Sequence, residues 1–560
     1  MCDILCRVLA SGGAQTSAPA RDGEAQGRDR AGQRDRGSAL LEGRQRGGQV
    51  RRGFELAVKL LDVLRVLREE GESFELIGDA DVELTGVTNH TSQVRRGYMY
   101  VCVRGARFDG HELADDALER GAVALVVERP LEHGVPQVVV TNPRRFMGRV
   151  SSILCGRPSR ALRVVGITGT NGKTTTTFML RSILVGLGFK VGLMGTVVYS
   201  DGEEEVEADR TTPESWEVQG WMRRAVDRGC TFFVMEASSH GLQMDRLVDV
   251  SFEASAFTNL TPEHLDFHGT MEGYYQAKRS LFFDYTAPGG VRVVNVDDEW
   301  GSRLSSELRR AGLPSFSLSL LDPSADFFAA VEGVDMRGAR AQVFEGGCLA
   351  GQLLVPMIGR YNVYNALTAY ALARGLGFSV EEALRGIREL RRVPGRVEVR
   401  RLSNGAWAVI DYAHSPDALE KLISAAREAM GEGGRLVALF GFGGDRYLRN
   451  AWEMGKLAAE RCDFVVITMD NPRFDDPMEI ARHIEAGVVA GGGQGRYAIE
   501  IDRKEAIRRA VRFSRDGDVL LLAGKGPESY MIVGDEHLPY NEERALREVL
   551  EEEGLGLEVV

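Results

Sequence analysis

The chain has 560 residues, of which 44% are apolar and 27% are charged. That length suits about three or four domains, each able to bury its own core, and disorder throughout is excluded. The formal net charge of −12 argues against partners recognised through bulk positive charge, such as duplex nucleic acid or an anionic membrane. Seven widely spaced cysteines without a CxxC pair indicate neither a disulfide framework nor a zinc ribbon. A reducing cytoplasm fits best.

Residues 1–53 are predicted to be a leader. Residues 8–53 are rich in Gly, Arg, Gln and Asp and contain no aromatic residue, which indicates a disordered segment or a start codon assigned too far upstream. A basic arm for nucleic acid is the alternative, but Asp alternates with Arg there. Asp3 and Arg7 interrupt the apolar start, so no secretory signal is predicted. No run of about 18 apolar residues predicts a transmembrane helix.

The rest of the chain is predicted to be α/β with three domains. Residues 54–160 open on an amphipathic helix, followed by short β-rich runs. Residues 161–391 alternate strand and helix patterns, which predicts a doubly wound, mostly parallel sheet. Residues 392–560 repeat that alternation and predict a second Rossmann-like unit. The leucines that define the first helix are Leu56, Leu60, Leu61, Leu64 and Leu67.

The clearest local pattern is the glycine-rich turn GITGTNGKT at residues 166–174. It follows the β-branched run 162–168, which predicts a buried strand, and it precedes a helical pattern. Backbone N–H groups of such a turn can hold phosphates, while Lys173 reaches the terminal phosphates and Thr174 can ligate Mg²⁺. The strict pattern GxxxxGK[ST] needs glycine where this chain has Ile167. An ordinary strand-to-helix turn is the alternative, but Gly-Lys-Thr in this context favours nucleotide binding.

Acidic and imidazole groups follow further predicted strands. Glu236 ends the apolar run 232–236, at the strand end where open α/β sheets bind ligands, and its oxygens suit Mg²⁺ together with Thr174. The loop 238–240 and the segment 258–266 supply Ser, His, Asn, Glu and Asp side chains. Any one of them could be a structural surface group. As a set at strand ends, they predict a site.

Ten motifs in one order resemble the Mur ligase family, the ATP-dependent enzymes that add amino acids to the UDP-N-acetylmuramoyl peptide of bacterial cell walls. The resemblance covers residues 54–550. It implies that residues 54–160 bind the UDP-substrate, 161–391 bind ATP, and 392–560 bind the amino acid and complete the ligase. The motifs are GTNGKTTT (169–176), MEASSHGL (235–242), TNLTPEHLDFHG (258–269), YYQAKRSLF (274–282), GRYNVYNALTAYA (359–371), VPGRVE (393–398), DYAHSPDAL (411–419), FGFGGDR (440–446), DNPRFDDP (470–477) and GKGPESY (524–530).

The resemblance implies a catalytic centre with two Mg²⁺ ions and ATP as co-substrate. Its metal ligands would be Thr174, Glu236, His264 and Lys278, and its catalytic residues Lys173, Glu236, His264 and Lys278. In the family the lysine at 278 is carbamylated by CO₂, which turns a cation into an anionic oxygen ligand. A lysine on a helix surface is the alternative. The implied ATP contacts are Gly169, Thr170, Asn171, Gly172, Lys173, Thr174, Thr175, Asn362, Asn365, Arg396, Asp411 and His414.

The Asn-Pro-Arg element resembles the branch that adds meso-2,6-diaminopimelate to UDP-MurNAc-L-Ala-D-Glu. A guanidinium such as that of Arg473 pairs with the distal carboxylate of diaminopimelate and would repel the ammonium of lysine. An Asn-Pro turn is the alternative for that element. The implied diaminopimelate contacts are Arg446, Asp470, Asn471, Pro472, Arg473, Gly524 and Glu528. The implied contacts to the UDP-MurNAc-dipeptide are Thr91, Thr211, Thr212, Ser238 and Arg246.

Three segments depart from the family pattern. Asp-Ser-Arg of the UDP loop is replaced by His90-Thr91-Ser92, GGDR is followed by Tyr447–Trp452 instead of a basic, Pro-containing stretch, and Pro527 replaces the His of GKGHE. The last two flank the implied amino-acid pocket and could tune specificity or rate.

The implied reaction is amide formation through an acyl phosphate, with domain closure excluding water. Small-molecule substrates are the only partners expected, with no nucleic acid and no membrane, and a cytoplasmic monomer is predicted. The alternatives are the lysine-adding branch, a folylpolyglutamate synthetase with the same ATPase core, and a silent nucleotide-binding scaffold. The Asn-Pro-Arg element and the collinear motifs disfavour the first two. Retention of both implied metal sites disfavours the third.

Overall fold

The computed structural model describes residues 57–105, 108–445 and 447–558. Its N-terminal part is a five-stranded sheet of order β2-β7-β6-β5-β4, parallel except for β2, beside the two-stranded pair β1-β3. The predicted first helix, α1, buries Leu60, Leu64 and Leu67, whereas Leu61 is 46% exposed at the edge of its apolar face. Leu56 lies outside the described residues. The elements are β1 Val58–Lys59, α1 Leu60–Glu69, β2 Glu75–Ile77, β3 Glu83–Leu84, β4 Gly86–Thr88, β5 Tyr98–Val101, α2 Ala114–Glu119, β6 Ala122–Val127, β7 Gln137–Val139 and α3 Pro143–Leu154.

The central part is an eleven-stranded sheet of order β11-β10-β9-β12-β8-β13-β14-β15-β16-β17-β18. The seven neighbouring strands β9, β12, β8, β13, β14, β15 and β16 are parallel. Antiparallel strands extend the sheet at both margins. The strands are β8 Arg163–Thr168, β9 Val191–Met194, β10 Val198–Ser200, β11 Glu205–Glu207, β12 Phe232–Glu236, β13 Phe252–Phe257, β14 Thr286–Asn295, β15 Phe316–Ser319, β16 Phe327–Asp335, β17 Gly338–Glu345 and β18 Cys348–Val355. The helices are α4 Lys173–Gly186, α5 Ser215–Asp227, α6 Ser239–Gln243, α7 Leu265–His268, α8 Met271–Ser280, α9 Glu299–Arg310, α10 Arg360–Gly375 and α11 Val380–Arg388.

The C-terminal part is a seven-stranded sheet of order β23-β22-β21-β24-β20-β19-β27, in which β20 to β24 are parallel, with a separate hairpin β25-β26. The α/β architecture with a small N-terminal unit, a mostly parallel central sheet and a Rossmann-like C-terminal unit is confirmed. The elements are β19 Glu398–Leu402, β20 Trp407–Asp411, α12 Pro416–Ala429, β21 Leu436–Phe440, α13 Arg449–Arg461, β22 Phe464–Ile467, α14 Pro477–Ala490, β23 Tyr497–Ile499, α15 Arg503–Phe513, β24 Val519–Ala523, β25 Tyr530–Val533, β26 Glu536–Pro539, α16 Glu542–Glu552 and β27 Leu557–Glu558.

The centre of the middle sheet brings the predicted phosphate turn and its neighbours to one edge. Strand β8 lies between β12 and β13, with Glu236 opposite Ile167 and Phe257 opposite Thr168. The segments after all three strands therefore meet at the carboxyl end, where α/β sheets bind ligands. Val164 to Thr168 are buried, as the β-branched run predicts. Within the described part of the chain, no helix is both long and apolar enough to cross a membrane.

Candidate active site

The glycine turn after β8 needs glycine at two positions. Gly169 has φ +147° and Gly172 has φ +88°, a region that disfavours other residues. A Cβ at Gly169 would lie 1.9 Å from Thr258 Oγ1, and one at Gly172 would lie 2.2 Å from Asn365 Oδ1. Ile167, at the position where the strict pattern has glycine, is a fully buried strand residue. The turn therefore begins later than that pattern requires.

The loop after β13 holds the turn in place. Asn171 N donates to Asn259 Oδ1 at 2.9 Å, and Thr170 N donates to the Asn259 carbonyl at 2.8 Å. Thr258 Oγ1 donates to the Asn171 carbonyl at 2.6 Å. Residues that are about 90 positions apart thus fix the backbone of the turn, which preorganises it for an anion.

The half-buried Lys173 and the buried Lys278 converge on one carbonyl of the turn. Lys173 Nζ donates to the Gly169 carbonyl at 2.9 Å and to the Thr170 carbonyl at 2.8 Å, and Lys278 Nζ donates to the Gly169 carbonyl at 2.7 Å. Burial lowers the pKa of Lys173, and burial together with the Lys173 charge lowers the pKa of Lys278 well below its usual range. Lys278 is 1% exposed, so the alternative of a helix-surface lysine is wrong.

Glu236 lies in a shell of hydroxyl groups. Its Oε1 accepts from Thr174 Oγ1 at 2.9 Å and from Thr196 N at 2.9 Å, while its Oε2 accepts from Thr196 Oγ1 at 3.1 Å. Thr196 Oγ1 in turn lies 3.0 Å from Thr211 Oγ1. Hydroxyl and carboxylate oxygens suit Mg²⁺, so Thr174 and Glu236 fit one ion. Thr196 belongs to none of the ten sequence motifs and was not predicted.

The residues expected at a second Mg²⁺ fit less directly. His264 has φ +56° and its ring lies 4.8 Å from that of His240, centroid to centroid. His264 and Lys278 both approach the Tyr274 ring, at 6.2 Å and 4.6 Å respectively. As an amine, Lys278 donates a hydrogen bond and offers no anionic ligand. Among the described residues, no group of three or more His, Cys, Asp or Glu side chains is arranged to hold a metal ion.

A cavity of about 400 Å³ extends from the glycine turn to the C-terminal sheet, a size typical of small-molecule sites. From the central part it is lined by residues 170–175, Glu236 and the two asparagines Asn362 and Asn365 of α10. Arg396 and Asp411 line it from the C-terminal part. Sequence motifs far apart in the chain therefore share one cavity. Lining residues not singled out from the sequence include Asp297, Tyr361, Tyr364 and Lys421.

The groups from the C-terminal part differ in how fully they are hydrogen-bonded. Arg396 Nε is buried without a hydrogen-bond partner among the described residues, so it suits an anionic ligand. Asp411 accepts from Val397 N at 2.9 Å and from Ala413 N at 2.8 Å, and burial raises its pKa. His414 does not line the cavity; its Nδ1 lies 2.7 Å from the Tyr412 carbonyl.

Arg246 and Thr212, two of the residues implied for the UDP-substrate, lie at a buried carboxylate, Glu214, that was not predicted. Arg246 Nη1 donates to the Thr212 carbonyl at 2.9 Å, and its Nη2 lies 2.9 Å from Glu214 Oε1. Arg144 and Arg210 also pair with Glu214, at 2.8 Å and 3.4 Å. Three guanidiniums around one carboxylate leave an excess of positive charge, which suits an anionic substrate.

Of the other residues implied for the UDP-substrate, Ser238 lies close to Thr212 and Thr91 lies on a separate turn. Thr212 Oγ1 accepts from Ser238 N at 3.0 Å, and Ser238 Oγ accepts from Gly241 N at 3.0 Å to cap α6. Thr91 lies on a 3₁₀ turn of the N-terminal part. The neighbouring Asn89 Oδ1 accepts from Trp216 Nε1 of α5 at 3.2 Å, which ties that loop to the central part.

Asn471, Glu528 and Asp470, three of the residues implied for diaminopimelate, lie around Lys525, which belongs to the Gly-Lys-Gly motif and was not predicted to have a role. Lys525 Nζ donates to Asn471 Oδ1 at 2.9 Å and to Glu528 Oε2 at 2.6 Å. A Cβ at Gly524 would lie 2.8 Å from Asp470 Oδ2, so this glycine lets the two segments approach. The Asn-Pro-Arg turn is therefore packed against the Gly-Lys-Gly turn.

Arg473 has φ +55°, and its Nη1 donates to the Gly444 carbonyl at 2.6 Å. A Cβ at Gly444 would lie 1.9 Å from the Pro472 carbonyl oxygen, so this turn is closely packed against Gly444. Arg446 lies outside the described residues. Pro527, one of the departures from the family pattern, packs against Gly395: a Cβ there would lie 2.1 Å from Pro527 Cδ. That departure thus contacts the segment carrying Arg396.

Three family models match the chain in succession. They are "Mur ligase family, catalytic domain" at residues 83–152, "Mur ligase middle domain" at 167–373, and "Mur ligase, glutamate ligase domain" at 395–526. A UDP-N-acetylmuramoyl-L-alanyl-D-glutamate–2,6-diaminopimelate ligase of Alkaliphilus metalliredigens is 36% identical over 502 residues, 89% of this chain and 99% of the relative. The chain belongs to the Mur ligase family. A ligase of the same name from Chlorobaculum tepidum is 41% identical over 457 residues, 80% of this chain and 88% of the relative.

Solved structures of Mur ligases have the same fold. A structure described as UDP-N-acetylmuramoyl-L-alanyl-D-glutamate–2,6-diaminopimelate ligase has a TM-score of 0.64 at 26% identity, covering 89% of this chain and all of that chain. A MurF ligase from Thermotoga maritima in complex with ADP has a TM-score of 0.57 at 20% identity, covering 79% and 94%. At that identity the second likeness shows the fold alone.

Proposed function

We propose that this Mur ligase adds meso-2,6-diaminopimelate to the D-Glu γ-carboxylate of UDP-MurNAc-L-Ala-D-Glu, consuming ATP, as a cytoplasmic monomer in peptidoglycan precursor synthesis. The observation that carries the proposal is the shared cavity, which the glycine turn and Glu236 line together with Arg396 and Asp411 of the C-terminal part. Relatives 35–41% identical carry the name of that ligase. The division of labour would follow the bounds 54–160 for the UDP-substrate, 161–391 for ATP and 392–560 for the amino acid.

The triphosphate would bind at residues 169–175, with Lys173 and Arg396 close to the terminal phosphate. A γ-carboxylate oxygen of D-Glu attacks the γ-phosphorus, and the bond from that phosphorus to the bridging oxygen breaks. ADP departs, and the D-Glu carboxylate has become an acyl phosphate. The amine of diaminopimelate attacks the acyl carbon and loses a proton, and the tetrahedral intermediate releases phosphate. Positioning and charge neutralisation supply most of such a catalysis. Asn362 and Asn365 would lie near adenine, and Asp411 and His414 near ribose.

Thr174 and Glu236 would hold one Mg²⁺, whose charge would offset that of the phosphates. The support is their oxygen donor set, joined by the 2.9 Å hydrogen bond. A second ion would need His264 together with a modified Lys278.

Lys278 would become a ligand by carbamylation. The lowered pKa of Lys278 favours a neutral amine, which is the form that attacks CO₂. A nitrogen–carbon bond forms, one proton leaves, and the carbamate carries a negative charge. Its oxygens would then suit a hard cation beside His264.

Selectivity for diaminopimelate would come from charge matching. Arg473 offers a guanidinium to the distal carboxylate, where lysine would bring an ammonium instead. Asp470 and Glu528 would face the ammonium groups, with Asn471, Pro472 and Gly524 shaping the pocket and Arg446 beside them. Thr91, Thr211, Thr212, Ser238 and Arg246 would bind the UDP-MurNAc-dipeptide, helped by the excess positive charge around Glu214.

Phosphate release from ATP and UDP-MurNAc-L-Ala-D-Glu tests the proposal, with diaminopimelate, lysine or no amino acid added. We expect release that depends on diaminopimelate, together with the matching UDP-tripeptide by mass spectrometry. Faster release with lysine would overturn the specificity. No release with any amino acid would favour a nucleotide-binding scaffold.

A further inference from the structure

We propose that Lys525 is a positioning residue of the amino-acid pocket, whose ammonium holds the Glu528 carboxylate and the Asn471 amide where the incoming amino acid meets them. This inference rests on the proposed function, because it assumes that Asn471 and Glu528 face the amino-acid substrate. Lys525 would orient these two side chains through its contacts within the protein.

The hydrogen bonds of Lys525 are fully used inside the protein. Its Nζ donates to Asn471 Oδ1 at 2.9 Å, to Glu528 Oε2 at 2.6 Å and to the Tyr530 carbonyl at 2.7 Å. An ammonium has three N–H groups, so none is left for a ligand. The Lys525 side chain is 0% exposed. Lys525 therefore acts through its neighbours and does not touch the substrate itself.

The neighbours are held from the other side as well. Asn471 Nδ2 donates to Glu528 Oε2 at 2.9 Å, and Asn471 Oδ1 also accepts from Ile532 N at 2.9 Å. Tyr412 Oη donates to Glu528 Oε1 at 3.0 Å. With Lys525 present, both carboxylate oxygens of Glu528 and both polar atoms of the Asn471 amide have partners. Removing the ammonium takes away one donor from each residue and leaves them less firmly oriented.

The positive charge of Lys525 also stabilises this arrangement of side chains. Besides its contact with Glu528, its Nζ lies 3.7 Å from Asp470 Oδ1, so one ammonium stands between two carboxylates. One net negative charge remains on the three groups, which favours a cationic group of the substrate. Without Lys525 the two carboxylates would repel each other in a place where water screens them little, and one would turn away.

Steady-state kinetics of Lys525→Met test the inference, with Lys504→Met as the matched control. Lys504 also bridges two carboxylates, Glu548 at 2.8 Å and Glu552 at 3.0 Å, but its side chain is 33% exposed and on helix α15. For K525M we expect the KM for the amino acid to rise about 10- to 100-fold, while the KM values for ATP and the UDP-dipeptide stay within about twofold. For K504M none of the three should change.

An equal rise of all three KM values in K525M, or none, would overturn the inference. If K525M does not fold, Lys525→Arg replaces it, because Arg keeps the charge but cannot place three donors on one nitrogen. A rise confined to the amino-acid KM is again expected, and an unchanged or uniformly raised set would again overturn it.

A crystal structure of the same folded variant tests positioning independently of activity. Displacement of the Glu528 and Asn471 side chains is expected, and unchanged orientations of both would overturn the inference. Failure of the proposed function is seen separately, as absence of diaminopimelate-dependent phosphate release by the wild-type chain.

Discussion

Replacing Gly172 by alanine should weaken nucleotide binding through one contact. The new Cβ would lie 2.2 Å from Asn365 Oδ1, more than 1 Å inside an ordinary carbon–oxygen contact of roughly 3.3 Å. Asn365 cannot withdraw freely, because its Nδ2 donates to Asn362 Oδ1 at 2.9 Å. Losing that hydrogen bond costs about 0.5–1.5 kcal/mol, and distorting the turn adds to it. We expect the Kd for ADP to rise about 10- to 100-fold, equivalent to ~1.4–2.8 kcal/mol.

Gly188 provides the control for backbone strain. It follows the same helix, α4, with φ +85°, and a Cβ there meets nothing within 4 Å. Gly188→Ala should therefore share the left-handed strain of about 1–2 kcal/mol but bind ADP like the wild type in calorimetric titration. In the double variant G172A/N365A, ADP should bind as it does to N365A alone. Equal ADP affinity of G172A and G188A would refute the reasoning.

Three further outcomes are expected. Lys278→Ala should lower kcat by about two orders of magnitude or more; with carbon-13-labelled CO₂ we expect a carbamate carbon signal in nuclear magnetic resonance from the wild type and none from the variant. Burial raises the pKa of Glu217 to about 7 from its ordinary value of 4.5; because the folded state then binds the extra proton, stability should fall as pH rises from 4.5 to 7, and Glu217→Gln should flatten that slope in thermal unfolding scans. Glu542→Ala breaks the buried pair with Arg503, whose Nη2 lies 2.7 Å from Glu542 Oε1, and should cost about 3–5 kcal/mol in urea unfolding, whereas Glu548→Ala, at a surface pair, should cost under about 1 kcal/mol.

Much of the fold was predictable because local patterns repeat with the period of each element. The β-branched run before the glycine turn became the buried strand β8, and Leu60, Leu64 and Leu67 share the buried face of α1. Leu61 marks the limit of such patterns, since a helix position one residue from a buried leucine can still face solvent. The ten motifs in order carried the family, because sequence identity is distributed along the chain.

The candidate site was predictable as a set of residues, and only in part as an arrangement. Sequence alone pointed to the glycine turn through its glycines and to the carboxylate at the end of β12 through its strand pattern. It pointed to the lysine of α8 through the resemblance to the family motif. Only the tertiary structure decided that Arg396 and Asp411 line the same cavity as that turn, that Lys278 is buried against Gly169, and that Lys525 lies between Asn471 and Glu528. The reason is physical: sheet order and crossovers bring together segments that are distant in the chain, and a lysine's role depends on whether those segments bury it or leave it in water.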